Sequence, residues 1–329
     1  MNMIKISVIV TTYNRPEALA LVLLALAAQE NIALPGNSRQ LRFAKRKEAP
    51  VLPFEVIIAD DGSTCATAEL VIQLQSQLPY PLQHLWQPDK GFRAAKARNR
   101  AIAAASGNYF IFLDGDCIPQ TDFIVRHSRL AETGWFVAGN RVLLSEKFTA
   151  QVIKKSPLAF QTGGMPVVRP FSKGELGDIS RLGGIWAYLR RDINRFLPLL
   201  RLPDSPLRKR HRQKWQGAKT CNLGAWREDI LKINGFDERF QGWGHEDAEL
   251  VVRLLRSGVG RKEGRFAVPV LHLWHPEEDR SQEQENRQRL EQILKSTATV
   301  AQRGLKSISQ QDSILSSADK YNGYAFRNG

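Results

Sequence analysis

Short apolar runs rich in β-branched residues alternate with longer helix-forming segments along the first third of the chain. The strand candidates are residues 4–10, 54–59, 82–86 and 109–113. The helix candidates between them are residues 17–29, 64–77 and 93–106. Strands that alternate with helices at this spacing predict an α/β fold, with a mostly parallel sheet and helices on both of its faces.

Polar residues follow three of these strand candidates directly, at residues 11–15, 60–63 and 114–116. In an open parallel sheet the carboxyl ends of the strands meet at one edge, and ligands bind beyond that edge. We therefore expect the three polar groups to lie close together and to form the ligand site.

The remaining pattern is less regular. Residues 31–53 contain three prolines and a run of basic residues, which predicts a surface insertion. Residues 137–184 carry mixed signals for short strands and glycine turns. Further predicted elements are a helix at residues 250–256, a strand within residues 266–274 and a charged helix at residues 281–304.

The composition indicates a folded chain with a strong positive charge. The 329 residues are 43% hydrophobic, enough for a sizeable core, and 47 Lys and Arg against 33 Asp and Glu leave a net charge of +14. Three cysteines without a C-x-x-C pair exclude a disulfide scaffold and a zinc ribbon. A charge of this size first suggests nucleic acid or an anionic membrane surface as the partner.

Two short segments carry most of the excess charge. Residues 39–47 hold five basic residues and no acid, and residues 190–214, from Arg190 to Lys214, hold nine basic residues and two acids. Neither segment interleaves basic and aromatic residues on one element, so we expect no nucleic-acid partner. The second segment mixes leucines with arginines, which suits contact with an anionic membrane surface.

The chain shows no sequence signal for a segment that spans a membrane. Its longest apolar run has eleven residues, at positions 18–28, whereas a spanning helix needs about 20. The first apolar run leads directly into polar residues, unlike a secretory signal. We therefore expect a cytoplasmic protein that is peripheral on the inner face of the membrane.

Two acidic groups are candidates for ligand binding. Asp114 and Asp116 flank a glycine at a strand end, and their carboxylates suit Mg²⁺ or Mn²⁺, although Asp and Gly also favour plain turns. Asp60 and Asp61 suit a ribose hydroxyl or a base N–H, or they cap the helix that follows. Arg98 either balances a diphosphate or belongs to a solvated helix face.

The later candidates lie in a glycine-rich loop and near a strand end. Trp243 between two glycines offers an aromatic plate for a sugar ring, and the carboxylates of Glu246 and Asp247 suit a general base or a helix cap. His272 and His275 are either structural or complete a metal site that begins with Asp116.

Four of these motifs, in this order, resemble the family 2 inverting glycosyltransferases of the GT-A fold. They are V-I-V-T-T-Y-N-R at residues 8–15, D-D-G-S at 60–63, A-R-N at 97–99 and D-G-D at 114–116, and the resemblance covers residues 4–125. Residues 235–250, with G-W-G-x-E-D, resemble the C-terminal module of galactosyltransferases and chondroitin polymerases.

The resemblance implies a Rossmann-like nucleotide-sugar-binding half at residues 1–134 and an acceptor-binding half at 135–280, either separate or one continuous domain. A C-terminal helix and loose tail follow at 281–329. The implied donor-binding residues are Thr11, Tyr13, Arg15, Asp60, Asp61, Arg98 and Asp114. The implied acceptor-binding residues are Gly242, Trp243 and Gly244, with Asp247 as the catalytic base beside Glu246. The implied ligands of Mn²⁺ or Mg²⁺ are Asp116 and His275, with Asp114 and His272 as further candidates.

The activity that the resemblance implies is transfer of a hexose or N-acetylhexosamine from a UDP-sugar to a hydroxyl of a glycan or glycolipid. We expect it to serve bacterial surface polysaccharide or lipopolysaccharide assembly. One alternative is a nucleotidyltransferase acting on sugar phosphates, which would carry a glycine-rich basic loop where residues 11–15 stand. The other is a non-catalytic sugar-binding protein.

Overall fold

A computed structural model describes residues 4–29, 53–154, 158–159, 167–168, 181–277 and 279–307. The basic run at residues 39–47, most of the predicted insertion and the predicted tail beyond residue 307 lie outside the described residues. Of the described helices, none combines the length and the apolar character that crossing a bilayer requires.

Twelve strands occur in the described part of the chain. They are β1 (Ile6–Thr12), β2 (Phe54–Asp60), β3 (Leu82–Trp86), β4 (Tyr109–Asp114), β5 (Cys117–Pro119), β6 (Trp135–Ala138), β7 (Asn140–Leu143), β8 (Leu158–Ala159), β9 (Val167–Val168), β10 (Asn222–Trp226), β11 (Gly260–Glu263) and β12 (Pro269–His272). Seven of them form the central sheet in the order β11-β6-β10-β4-β1-β2-β3.

Nine α-helices belong to the same described residues. They are α1 (Pro16–Ala27), α2 (Cys65–Gln75), α3 (Ala94–Ala104), α4 (Phe123–Leu130), α5 (Glu146–Lys154), α6 (Arg181–Leu189), α7 (Arg227–Lys232), α8 (Glu246–Arg256) and α9 (Glu283–Lys295). The four strands and three helices predicted in the first third of the chain are confirmed to within about two residues at each end. The predicted C-terminal helix is shorter than expected, because α9 ends at Lys295.

The parallel strands bring their polar ends together, as the sequence predicts. β1 pairs in parallel with β2 and with β4, and β2 pairs with β3. Thr11 at the end of β1 lies opposite Asp114 of β4, and Thr12 lies opposite Asp60 of β2. The three polar groups therefore share one edge of the sheet.

The core has two layers because side chains alternate along each strand. Tyr109, Ile111 and Leu113 of β4 pack on one face, where α1 and α2 lie, whereas Phe110 and Phe112 pack on the other, with α3 and α8. The second layer also includes residues of β10. Since β6, β10 and β11 extend the same sheet, this shared core favours one continuous domain across the predicted boundary at residue 134.

A small second sheet brings distant residues to the edge of the site. Its order is β5-β12-β7, and it pairs β12 antiparallel with β5 and parallel with β7. In this register His272 of β12 lies opposite Cys117 of β5, directly after the predicted acidic motif. The sequence gives no signal for this pairing, which joins segments about 150 residues apart.

Residues 190–214 are only partly at the surface. Prolines divide the segment into two short 3₁₀ helices, at Leu197–Leu199 and Pro206–Lys209. Leu199 is buried in the core, and buried Arg208 donates hydrogen bonds to the carbonyl groups of Leu202 and Glu263. Leu199 and Arg208 therefore face the fold, and contact of this segment with an anionic membrane surface stays a prediction.

Candidate active site

Arg98 is the centre of the site. This buried side chain on α3 donates hydrogen bonds to Thr11 Oγ1 at 3.0 Å, to Asp114 Oδ1 at 3.1 Å and to Glu246 Oε1 at 3.3 Å. Its guanidinium also lies 3.9 Å from Asp247 Oδ1. One arginine thus connects the ends of β1 and β4 to the beginning of α8. It joins the predicted donor motifs to the predicted acceptor motif, which the sequence separates by more than 100 residues.

The carboxylates around Arg98 have strongly perturbed pKa values. Burial raises the pKa of Asp114 to about 6, and the charges of Asp116 and Asp247 act in the same direction while Arg98 opposes them. Burial also raises the pKa of Glu246 to about 7, together with the charge of Asp247. A dense group of acids in one cleft is typical of a functional site and favours binding of a cation there.

Asp116, His272 and His275 form a cluster whose potential ligand atoms all lie within 4.8 Å of one another. The Nε2 atoms of His272 and His275 lie 3.6 and 3.5 Å from the two carboxylate oxygens of Asp116. The N–H of Leu273 donates to the backbone oxygen of Asp116 at 2.9 Å, which aligns the two segments. The sequence offered the two histidines as alternatives, and the structure brings both to Asp116.

This donor set fits a divalent transition metal. One carboxylate and two imidazoles suit Mn²⁺ better than Mg²⁺, which prefers oxygen ligands. Burial lowers the pKa of His272 to about 4, so its imidazole is neutral at physiological pH, as a metal ligand must be. Asp114, Cys117 and Cys221 form a second group of this kind, but burial raises the pKa of Cys117 well above its usual value, which disfavours the thiolate.

Two arginines flank this cluster. Arg15 donates from Nη1 to Asp116 Oδ2 at 2.7 Å and from Nη2 to the backbone oxygen of Trp274 at 3.2 Å. Arg141 on β7 keeps a raised pKa in spite of its burial, because Cys221, Cys117, Asp114 and Asp116 lie near it. Sequence analysis missed Arg141, since it falls in the irregular stretch after residue 137 and only the β7–β12 pairing turns it towards the acids.

Tyr13 and Asp61 lie at the other end of the same sheet edge. The Tyr13 hydroxyl, on a side chain that is 43% exposed, donates to Asp89 Oδ2 at 2.9 Å. Asp61 accepts hydrogen bonds from Gln87 Nε2 at 2.6 Å and from the N–H of Arg93 at 2.5 Å. Burial raises the pKa of Asp61 to about 6.

Asp60 has a different role from its neighbour. Its Oδ1 atom accepts hydrogen bonds from the N–H groups of Gly62 and Ser63, at 3.1 and 2.8 Å, and its Oδ2 atom lies 2.8 Å from His84 Nε2. The residue is fully buried. Asp60 therefore holds the turn after β2 and does not cap the helix that follows, since α2 has Thr64 at its N-cap without a side-chain hydrogen bond there.

The G-W-G loop is held by backbone geometry that favours glycine. Gly242 has φ of +73°, and a Cβ there would lie 2.6 Å from the Cβ of Gln282. Its N–H donates to the carbonyl of Phe92 at 2.9 Å, which connects the loop to the segment before α3. The Arg280 guanidinium stacks 4.4 Å from the centre of the Trp243 ring, so one face of the predicted sugar plate already carries a cation.

Thr220 is a second residue that sequence analysis missed. Its hydroxyl donates a hydrogen bond to Asp247 Oδ1, so it orients the carboxylate at the beginning of α8. Thr220 lies just before β10, and an isolated threonine ahead of a strand carries no recognisable signal. Only the antiparallel pairing of β10 with β4 places it beside this acid.

The sheet, the acidic edge and the G-W-G loop define a protein of the glycosyltransferase class. Residues 7–193 match the family model for glycosyl transferase family 2, and residues 207–272 match the model for the N-terminal domain of galactosyltransferase. The chain belongs to glycosyl transferase family 2. The predicted GT-A fold and the predicted enzyme class are thereby confirmed, and the match favours a glycosyltransferase over a nucleotidyltransferase or a non-catalytic sugar-binding protein.

Named relatives extend this picture. Validoxylamine A glucosyltransferase of Streptomyces hygroscopicus subsp. jinggangensis is 29% identical over 77% of this chain and 52% of its own length. Hyaluronan synthase of Pasteurella multocida is 28% identical over 77% of this chain and 23% of its own length. The chain thus spans about half, or less, of these relatives. Residues 1–349 of TarS from S. aureus in complex with UDP are 15% identical, with a TM-score of 0.47, over 81% of this chain and 60% of that one.

Proposed function

We propose that the protein transfers a hexose or N-acetylhexosamine from a UDP-sugar to a hydroxyl of a glycan or glycolipid acceptor, with inversion at the anomeric carbon. The observation that carries the proposal is the position of Arg98, which contacts the donor motifs at Thr11 and Asp114 and the acceptor motif at Glu246. A single buried cation that contacts both halves sets the distance between the two substrates.

The donor side of the proposal rests on two groups of residues. Asp116, His272 and His275 would hold Mn²⁺, which when bound neutralises the diphosphate and stabilises the departing UDP. Asp61, whose carboxylate is held by Gln87 and by the backbone of Arg93, is suited to accept the N–H of the uracil base.

On the acceptor side, Asp247 is the proposed general base. Its side chain is 18% exposed and that of Glu246 is 11% exposed, so Asp247 is the more accessible of the two carboxylates. Asp247 removes the proton of the acceptor hydroxyl while that oxygen forms its bond to the anomeric carbon and the bond to the UDP oxygen breaks. Glu246, held by Arg98, orients the acceptor, and the face of the Trp243 ring opposite Arg280 supports its sugar ring.

The test is release of UDP from a panel of UDP-sugars with and without Mn²⁺. The panel comprises UDP-glucose, UDP-galactose and their N-acetylated counterparts, because slow hydrolysis reports donor use without a known acceptor. We expect turnover with Mn²⁺ and none after EDTA. Turnover that is indifferent to EDTA would remove the metal from the proposal.

Two variants separate donor binding from catalysis. Asp247→Asn should lose turnover and still bind UDP, whereas Asp116→Ala should weaken metal-dependent UDP binding itself. Wild-type turnover in Asp247→Asn would refute its role as the base.

The site of action is part of the same proposal. We place the enzyme at the inner face of a bacterial membrane, in surface polysaccharide or lipopolysaccharide assembly, where glycolipid acceptors are anchored. This is supported by the positive charge of the chain and by its similarity to a polysaccharide synthase.

A further inference from the structure

Helix α6 exposes an unusual amount of apolar surface for its length. Trp186 is 61% exposed and Leu189 is 63% exposed, and they are joined by Ile185 and Tyr188, while Ala187 points into the core. Soluble proteins rarely leave several large apolar side chains this open on one short helix unless they contact something.

The exposed surface continues into the segment after α6. The rings of Tyr188 and Phe196 lie 5.5 Å apart, and the next residue, Leu197, is 53% exposed. We name the side chains of Ile185, Trp186, Tyr188, Leu189 and Leu197 the α6 surface.

Arginines border the α6 surface. Arg190, Arg191 and Arg195 all lie between α6 and Leu197 in the chain and are exposed. The Arg190 side chain is 71% exposed, and its nearest acid is Asp192 at 3.8 Å, a contact of little energetic weight at such exposure. Apolar side chains bordered by arginines complement the interface of an anionic bilayer, where acyl chains lie beneath phosphate groups.

Other basic residues of the same region serve the fold instead. Arg201 pairs with Asp122, and Lys209 pairs with Glu132. These internal pairs serve the fold, whereas Arg190 and Arg191 beside α6 stay exposed, as do Arg210 and Lys214 farther along the segment.

The α6 surface is connected to the candidate metal cluster through the backbone. Ile193 forms a bridge with Leu144, and the N–H of Leu144 donates to the carbonyl of His272 at 2.9 Å. The N–H of Ser145 donates to the carbonyl of Asp192 at 2.8 Å. The segment after α6 is therefore joined to the edge of the site through the residues that directly follow β7. A ligand on the α6 surface would bind close to that edge.

We propose that the α6 surface docks the enzyme on an anionic phospholipid bilayer, with Trp186 and Leu189 entering the interface and Arg190 and Arg191 contacting lipid phosphates. The docking proposal rests on the proposed function in one respect: docking would fix the position of the glycolipid acceptor relative to the active site. Docking on this side would bring the edge of the site that carries the candidate metal cluster towards the lipid headgroups.

The test is cosedimentation of the full chain with vesicles of phosphatidylcholine alone or mixed with phosphatidylglycerol. We expect binding to the mixed vesicles that weakens with salt, and about a tenfold loss of partitioning in Trp186→Asp and again in Leu189→Asp, since each removes a large apolar group from the interface. Arg190→Glu with Arg191→Glu should lose the preference for phosphatidylglycerol.

The matched control is Leu231→Asp, which changes a leucine that is 44% exposed on α7, a helix packed on the other face of the sheet. It should bind vesicles as the wild type does. Vesicle-free UDP release should be unchanged in all these variants, which separates failure of docking from failure of the proposed function. Equal binding by Trp186→Asp and wild type would overturn the proposal, as would wild-type self-association that Trp186→Asp abolishes without any binding to vesicles.

Discussion

Replacing Arg98 with Met tests whether one buried cation holds the two halves of the site together. The change removes the guanidinium and keeps most of the side-chain volume, so Asp114 and Glu246 lose their shared partner. Removing one member of a buried ion pair costs about 3–5 kcal/mol. Because 31% of the Asp114 side chain is exposed, water can solvate part of the carboxylate that loses its partner. We therefore expect the variant to lose about 3 kcal/mol of unfolding free energy, the lower end of that range.

The assay combines thermal unfolding with UDP release. At about 2.1 cal/mol/K of unfolding entropy per residue, a loss of about 3 kcal/mol lowers the melting temperature of this 329-residue chain by roughly 4 °C. Because the variant also loses a charge that contacts both donor and acceptor residues, turnover below its melting temperature should fall by about a hundredfold or more.

Arg253 provides a matched control in the same fold. Its buried guanidinium pairs with Glu249 within α8 and donates to the carbonyl of Ile233 at 2.7 Å, away from the acidic edge. Arg253→Met should destabilise the protein at least as much, yet retain turnover below its own melting temperature. An Arg98→Met protein that melts and turns over like the wild type would refute the role given to Arg98.

Three further predictions follow from single residues. Burial lowers the pKa of His127 to about 4, so the unfolded chain binds the proton first as pH falls below about 6.5, and stability should drop by roughly 3 kcal/mol between pH 6.5 and 4 in urea titrations. Burial raises the pKa of Asp61 to about 6, so UDP affinity measured by calorimetry should weaken as pH falls through 6 and this carboxylate is protonated. Gly242→Ala forces a side chain onto Gln282 at φ of +73°, which should cost about 1–3 kcal/mol in unfolding experiments and reduce turnover.

Each of these predictions has a control. His127→Phe should remove most of the loss of unfolding free energy between pH 6.5 and 4. If the stability of this variant fell with pH as steeply as that of the wild type, the loss would not be due to His127. The UDP affinity of Asp61→Asn should depend little on pH near pH 6. If its affinity weakened with falling pH as much as that of the wild type, the pH dependence would belong to another group. Gly244→Ala is the comparison for Gly242, because a Cβ there meets its nearest neighbour only at 3.9 Å and retains the strain of positive φ alone.

Much of the fold could be predicted from the sequence because its signals are local. β-branched runs such as residues 54–59 and the Ala-rich segment that became α3 depend on neighbours a few positions away. The sequence also predicted that Thr11, Asp60 and Asp114 share one edge of the sheet, because the carboxyl ends of parallel strands lie at the same edge. The sequence could not predict that Asp60 and Asp61 have different partners. The backbone turn after β2 decides that the Asp60 carboxylate, and not that of Asp61, is buried against His84.

The sequence by itself determined the class of fold and the kinds of chemical groups at the site. Tertiary structure decided which of those groups meet: the β5–β12 pairing brings both His272 and His275 to Asp116, and the β10–β4 pairing brings Thr220 to Asp247. It also decided which apolar side chains are exposed: Trp186 and Leu189 of α6 and Leu207 of the basic segment are, whereas Leu199 is buried. The physical reason is that these contacts join residues far apart in the chain, so they depend on strand register and burial, which no local pattern encodes.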